Sequence, residues 1–236
     1  EIRLSLVGSE MCIRDSEGSS AVTITEGAMP KVIAGCGGES DPTTRISCCA
    51  VLSAVSAHEP CRRPLCAMGT LEPLISLARD RGADDTTRLR CAVAFANLSH
   101  EPAVQGEMVT AGVVPVVAEL SNSYCEENQL YCARALCNLG CHSGSEQAIV
   151  EQGGVTALMM ICMVRAVSHF TKQICAKAIL NLVCAPLVIK DWLPQLADEG
   201  LVQAVSVLSR LPEEQTMGVC ASIFCTISAH GCLLYT

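Results

Sequence analysis

The sequence predicts an all-α fold, a solenoid of about five stacked three-helix repeats, and three observations carry the prediction. The first is a recurring phrase: Cys49-Ala50, Cys91-Ala92, Cys132-Ala133, Cys175-Ala176 and Cys220-Ala221 are each followed, six residues after the Cys, by Val55, Asn97, Asn138, Asn181 and Thr226. Those last positions are 42, 41, 43 and 45 residues apart. A period near forty marks a helical unit that cannot bury its own apolar face and must stack on copies of itself. The second observation is an out-of-phase series, Gly27, Gly69, Gly112, Gly154 and Gly200, each followed by a short apolar run. The third is composition. Half the chain is hydrophobic, yet it has only three Phe, three Tyr and one Trp, so a core of Ala, Val, Leu, Ile and Cys must form between closely approaching helices.

Each repeat reads as short helix, glycine corner, second helix, polar loop and long third helix, with bounds at about 17–58, 59–100, 101–142, 143–184 and 185–231. Glycine suits the corner because it takes backbone angles other residues resist. Second helices start at Ala28, Thr70, Val113, Val155 and Leu201, and Pro30, Pro73 and Pro115 fall in a first turn, where a missing N–H is harmless. The loop before the third helix is acidic: Gly38-Glu39-Ser40-Asp41, Asp84-Asp85, Glu126-Glu127 and Glu213-Glu214. Carboxylates there favour the positive end of the helix dipole. The fifth repeat's first helix is expected to contain Trp192, the single tryptophan.

Three of the third helices carry a stronger signal. Cys91-Ala-Val-Ala-Phe-Ala-Asn97-Leu98, Cys132-Ala-Arg-Ala-Leu-Cys-Asn138-Leu139 and Cys175-Ala-Lys-Ala-Ile-Leu-Asn181-Leu182 resemble the armadillo repeat. The resemblance covers nearly all of residues 17–231 and implies a right-handed α-solenoid. HEAT repeats are the nearest competing fold; the glycine corner and the Asn-Leu pairs favour armadillo. Val55-Ser56 and Thr226-Ile227 replace Asn-Leu in the outer copies, as terminal repeats often do.

The two ends read differently. Met11-Cys12-Ile13-Arg14-Asp15 and Cys232-Leu233-Leu234-Tyr235-Thr236 correspond to DNA strings that are reverse complements over most of their length and resemble a transposon end used in sequencing-library adapters. Residues 1–16 and 232–236 are therefore expected to be translated adapter, to be kept apart from the fold as any fusion scar would be, with native sequence cut at both ends.

Composition narrows the function classes. The longest apolar run, Ala157 to Val164, is far shorter than the ~20 residues of a spanning helix, so no membrane span is expected. Net charge is −8, or −7 once three acids and two bases of the adapter-like ends are set aside, which argues against a nucleic-acid partner. Seventeen cysteines contain no Cys-x-x-Cys pair, and five fill the small-residue slot of the third helix; packing thiols in a reducing compartment, the cytoplasm with the nucleus as a second location, is the expectation. Cys137, Cys141 and His142 form the one cluster that could face a metal, and neither metal nor cofactor is expected. His58, His100, His142 and His230 recur where third helices end, where imidazoles can bond the last carbonyls; a pH-sensitive ladder is the sharper alternative. No nucleophile, base and acid assemble, Gly35-Cys-Gly-Gly38 lacks a phosphate-loop lysine, and the Asn97-Leu98-Ser99 sequon falls inside a helix, so no enzyme is expected.

Function is then expected on the surface the third helices share. Armadillo third helices, as the resemblance implies, line a concave groove that receives an extended peptide. Asn is a mediocre helix-interior residue, so Asn97, Asn138 and Asn181 in one register ask for a reason: a ladder for a peptide main chain, or bonds within the array. Selectivity is expected one and two turns earlier, at Arg90, Val93, Tyr131, Arg134, Ile174, Lys177 and Ser222, with Thr226 in the fifth Asn slot. Import adaptors resembling importin-α often hold Trp four residues before the Asn; here Val93, Arg134 and Lys177 stand there. The expected activity is a non-catalytic scaffold or adaptor binding an acidic or phosphorylated peptide segment. The alternatives are an importin-α-like adaptor and the accessory domain of a larger enzyme such as a ubiquitin ligase. Oligomeric state is left open.

Overall fold

The computed structural model describes residues 27–38 and 40–230; the adapter-like ends, 1–16 and 232–236, lie outside the described residues. All regular structure among the described residues is helical, in the order α1 (Ala28–Gly35), α2 (Pro42–Ser56), α3 (Glu59–Ala67), α4 (Leu71–Ala78), α5 (Asp85–Leu98), α6 (Pro102–Thr110), α7 (Val113–Ser121), α8 (Glu126–Leu139), α9 (Glu146–Glu151), α10 (Gly154–Met163), α11 (His169–Val183), α12 (Pro186–Asp191), α13 (Leu193–Asp198), α14 (Leu201–Leu208) and α15 (Glu214–His230). The third helices are α2, α5, α8, α11 and α15. No single helix among them is long and apolar enough to cross a membrane.

Left-handed glycines open the second helices at Gly27, Gly69, Gly112, Gly153 and Gly200, with φ between 77° and 109°. The fourth corner is therefore Gly153 and not Gly154: of the two adjacent glycines the first takes the positive φ, and the second is buried as the first residue of α10. A second departure lies in the fifth repeat. Its first helix is broken into α12 and α13 at Trp192, which ends one helix and begins the other with φ −123°. Pro194 explains the break, since it has no N–H to return to the carbonyl four residues back.

The third helices begin as their acidic loops dictate. Asp41 accepts from the Thr44 N–H and hydroxyl, and Asp84 accepts from the Thr87 N–H at 2.8 Å. Ser168 does the same for α11 through Thr171. Each cap satisfies a donor that helix geometry leaves without an internal partner. The far ends close through main-chain turns. The His58, His100 and His142 main-chain N–H groups close the turn onto the Val55, Asn97 and Leu139 carbonyls, and the His142 ring pairs through Nδ1 with Ser145 Oγ at 2.9 Å. Side-chain capping comes from the following helix: Arg62 donates to the Ser56 and Ala57 carbonyls, and Gln105 donates to the Ser99 carbonyl at 2.8 Å.

The chain divides into two compact units meeting within α7 in sequence, one up to Val116 and one from Val117. In the first unit α2 packs on α5, with the sulfurs of Cys49 and Cys91 3.6 Å apart between them. In the second unit α8 packs on α11 and α11 on α15. The small-residue slot is what admits such contact: Cys49, Cys91, Cys132, Cys175 and Cys220 are all buried, as are the alanines that follow Cys91, Cys132 and Cys175. Each buried Leu or Phe between them, such as Phe95, Leu136 and Leu182, contributes about 2 kcal/mol of apolar transfer.

Candidate functional site

The period of the sequence reappears as side-chain contacts from one third helix to the next. In the first unit, Asn97 on α5 donates through Nδ2 to Ser56 Oγ at 3.1 Å and to the Ser53 carbonyl at 3.4 Å, both on α2. In the second, Asn181 on α11 points Nδ2 at Cys141 Sγ, 3.4 Å away, just past the end of α8. Thr226 on α15, in the same register, reaches Cys184 Sγ at 3.3 Å and also returns its hydroxyl to the Ser222 carbonyl. The Asn register therefore ties adjacent repeats together. The commitment is unequal: Asn97 holds two oxygen acceptors and is half-buried, whereas Asn181 is exposed and meets only a weak sulfur acceptor.

The positions one turn earlier differ between the units. In the first, Val93 is half-buried and Arg90 donates Nη1 to the Ile46 carbonyl at 3.4 Å, so this guanidinium is partly spent on α2. In the second, Arg134 on α8 sits 5.8 Å from the centre of the Tyr131 ring, three residues back on the same helix face. A cation–π contact of this kind restrains the half-buried guanidinium against the ring. Lys177 occupies the same slot on α11 and is exposed. It lies close enough to Cys137 to oppose the rise of that thiol, which burial, with help from Cys141, pushes up to about 11. Among the described residues neither Arg134 nor Lys177 has a carboxylate partner. Asn138 lies between them in the register, half-buried, and Ile174 adds a half-buried apolar contact point on α11. Ser222, exposed on α15, turns its hydroxyl back to the Gly218 carbonyl.

The structure thus gathers Tyr131, Arg134, Asn138, Ile174, Lys177, Asn181, Ser222 and Thr226 on third helices of the second unit, and Arg90, Val93 and Asn97 on α5 of the first. Cys137 and Cys141 face each other only through a thiol to carbonyl contact of 3.3 Å. Among the described residues no group of three or more His, Cys, Asp or Glu side chains is placed to hold a metal. What the second unit offers is non-covalent: amide donors and acceptors, an aromatic-backed guanidinium, and an exposed ammonium. Sequence reasoning missed the clamps from Arg62 and Gln105, which share a register 43 residues apart in first helices but are different residue types, so no repeated letter marked them.

Comparison with known proteins agrees with the helical register. No protein-family model matches the chain, and no curated protein matches it. Solved structures do. The designed armadillo repeat protein YIII(Dq)4CqI superposes with a TM-score of 0.78 at 17% identity, over 94% of this chain and 91% of that one. The designed armadillo repeat protein YIII(Dq.V1)4CPAF, in complex with peptide (KR)4, gives 0.78 at 15% identity over 95% of this chain and 92% of that one. A computationally designed armadillo repeat protein for modular peptide recognition gives 0.73 at 18% identity over 85% and 82%. At these identities the likeness shows the fold: the chain has the armadillo-repeat architecture that its third helices predicted.

Proposed function

We propose that this chain is a non-catalytic scaffold whose third helices bind an extended protein segment, and that the segment recognised by the second unit is acidic or phosphorylated. The observation that carries the reading is the pair Arg134 and Lys177, one slot in consecutive repeats, both without carboxylate partners among the described residues. A cation without a carboxylate partner among the described residues, with an amide four residues on in each repeat, is suited to a carboxylate or phosphate on a peptide whose main chain the amides bond. The designed neighbours support the peptide-binding part, since one is named for modular peptide recognition and another is in complex with a peptide. That second peptide is (KR)4, the charge opposite to the one proposed here. Basic residues in the four-back slot explain the reversal, because a lysine-rich segment would meet Arg134 and Lys177 across the same face.

The importin-α-like alternative draws on the acidic net charge of −8 and on the (KR)4 neighbour. It needs Trp before the Asn, and Val93, Arg134 and Lys177 stand there instead. Fluorescence anisotropy of the full chain with a labelled Glu-rich peptide, its phosphoserine counterpart and (KR)4 separates the readings. The acidic peptides bind and (KR)4 does not if the proposal holds; preference for (KR)4 establishes the alternative.

A further inference from the structure

Exposed apolar side chains stand on α10 and α11, on either side of the loop that joins them. All large apolar side chains that stand exposed among the described residues belong to the second unit. Three of them occupy slots that other repeats fill differently. Seven and ten residues after the left-handed corner glycine come Met160 and Met163, 55% and 53% exposed, where the other repeats place Ala34 and Gly37, Ser76 and Arg79, Glu119 and Asn122, or Val207 and Arg210. Eleven residues before the Asn slot comes Phe170, 60% exposed, where the others place Thr44, Thr86, Glu127 and Gln215. Packing demands none of these three departures, since all three side chains face outward.

Acids touch the two residues that precede Phe170. Glu126 Oε1 accepts the Ser168 N–H at 3.1 Å, and Glu213 Oε1 lies 3.7 Å from His169 Nδ1, so carboxylates of α8 and of the loop before α15 both touch the tip that carries Phe170. Glu127 and Glu214 extend the acidic flanks, and Glu213 Oε2 is buried without a hydrogen-bond partner among the described residues. Arg165 is the exposed cation in the loop itself. Apolar knobs between two acidic flanks complement a surface with an apolar centre and basic edges. Methionine suits such contacts because its unbranched thioether adapts to differing partners. The corner presents no strand edge, so an incoming segment must satisfy its own main-chain hydrogen bonds, as a helix does.

We propose that the α10–α11 corner, through Met160, Met163 and Phe170, docks an amphipathic helix of a partner protein whose apolar face is edged by lysine or arginine. The test titrates the full chain into a labelled leucine–lysine amphipathic helix and into the same peptide with glutamate in place of lysine. The lysine peptide is expected to bind at least about tenfold more tightly than the glutamate one, and Met163→Ser with Phe170→Thr should weaken it about tenfold or more. Glu127→Lys with Glu214→Lys, side chains that make no hydrogen bonds among the described residues, should weaken it similarly while thermal melting stays cooperative. Anisotropy with the Glu-rich peptide should be unchanged by Phe170→Thr, which separates this surface from the third-helix site. Equal binding of both helices, or indifference to Phe170→Thr, overturns the proposal. So does concentration-dependent dimerisation abolished by Phe170→Thr, which would make the occupant a second copy, and so does binding to anionic vesicles in preference to the lysine peptide.

Discussion

Asn97 donates to Ser56 Oγ at 3.1 Å, fastening α5 to the helix of the preceding repeat. With its second contact to the Ser53 carbonyl it acts as an inter-repeat brace, whereas Asn181 in the same register reaches only a sulfur. Asn97→Ala should therefore cost about 1–2 kcal/mol, because it removes one side chain's hydrogen bonds to buried Ser56 and half-buried Ser53. Asn181→Ala should stay within about 0.5 kcal/mol, as exposed substitutions do. Urea denaturation at constant slope reads the difference. Equal losses at both positions would mean that the register does not divide into bracing and available amides.

The caps predict a pH dependence with a defined sign. Hydrogen bonds from the Thr44 hydroxyl and N–H hold the Asp41 carboxyl below its ordinary value. A depressed folded-state value means that the stabilisation is fully present above the unfolded value of about 3.9 and is lost as pH falls through the folded one. Asp41→Ala should lower the urea midpoint at neutral pH. The gap to the wild type should begin to narrow below about pH 3.9 and close once the folded carboxyl is protonated. A gap that persists at low pH would show that the carboxylate is not the stabilising form.

Gly153→Ala tests the corner. A Cβ there would meet no atom within 4 Å, so any cost arises from the positive φ of 83° and not from space. About 1–2 kcal/mol is expected from that conformation alone. A neutral substitution would mean that the α9–α10 corner relaxes into an ordinary turn.

These cases show what the sequence could and could not reveal. Repetition was legible because five copies sample the same environment: the Cys slot, the corner glycines and the acidic caps each appear in several copies, and noise in one is corrected by the others. Details that occur once were not. Gly153 and Gly154 are indistinguishable as letters, and only the backbone decides which bends. Pro194 breaks the helix around Trp192 in a single repeat. Arg62 and Gln105 make one contact in two repeats, six residues past Ser56 and Ser99, but with different side chains, so the recurrence is not visible as a repeated letter. At the site, the register of Arg134 and Lys177 was legible, but the stacking of Arg134 on Tyr131 and the diversion of Arg90 to the Ile46 carbonyl depend on rotamers. Exposure of Phe170 likewise depends on how far α10 and α11 project, which alternation of apolar residues does not encode.

The most direct test of the peptide-binding account reverses the charges of Arg134 and Lys177. Full chain carrying Arg134→Glu and Lys177→Glu is titrated with the labelled Glu-rich peptide and with (KR)4 at low and physiological salt. The account predicts that acidic-peptide affinity falls about tenfold or more, that (KR)4 binding appears, and that both effects shrink as salt rises. Unchanged affinity for the acidic peptide in the double variant would contradict it.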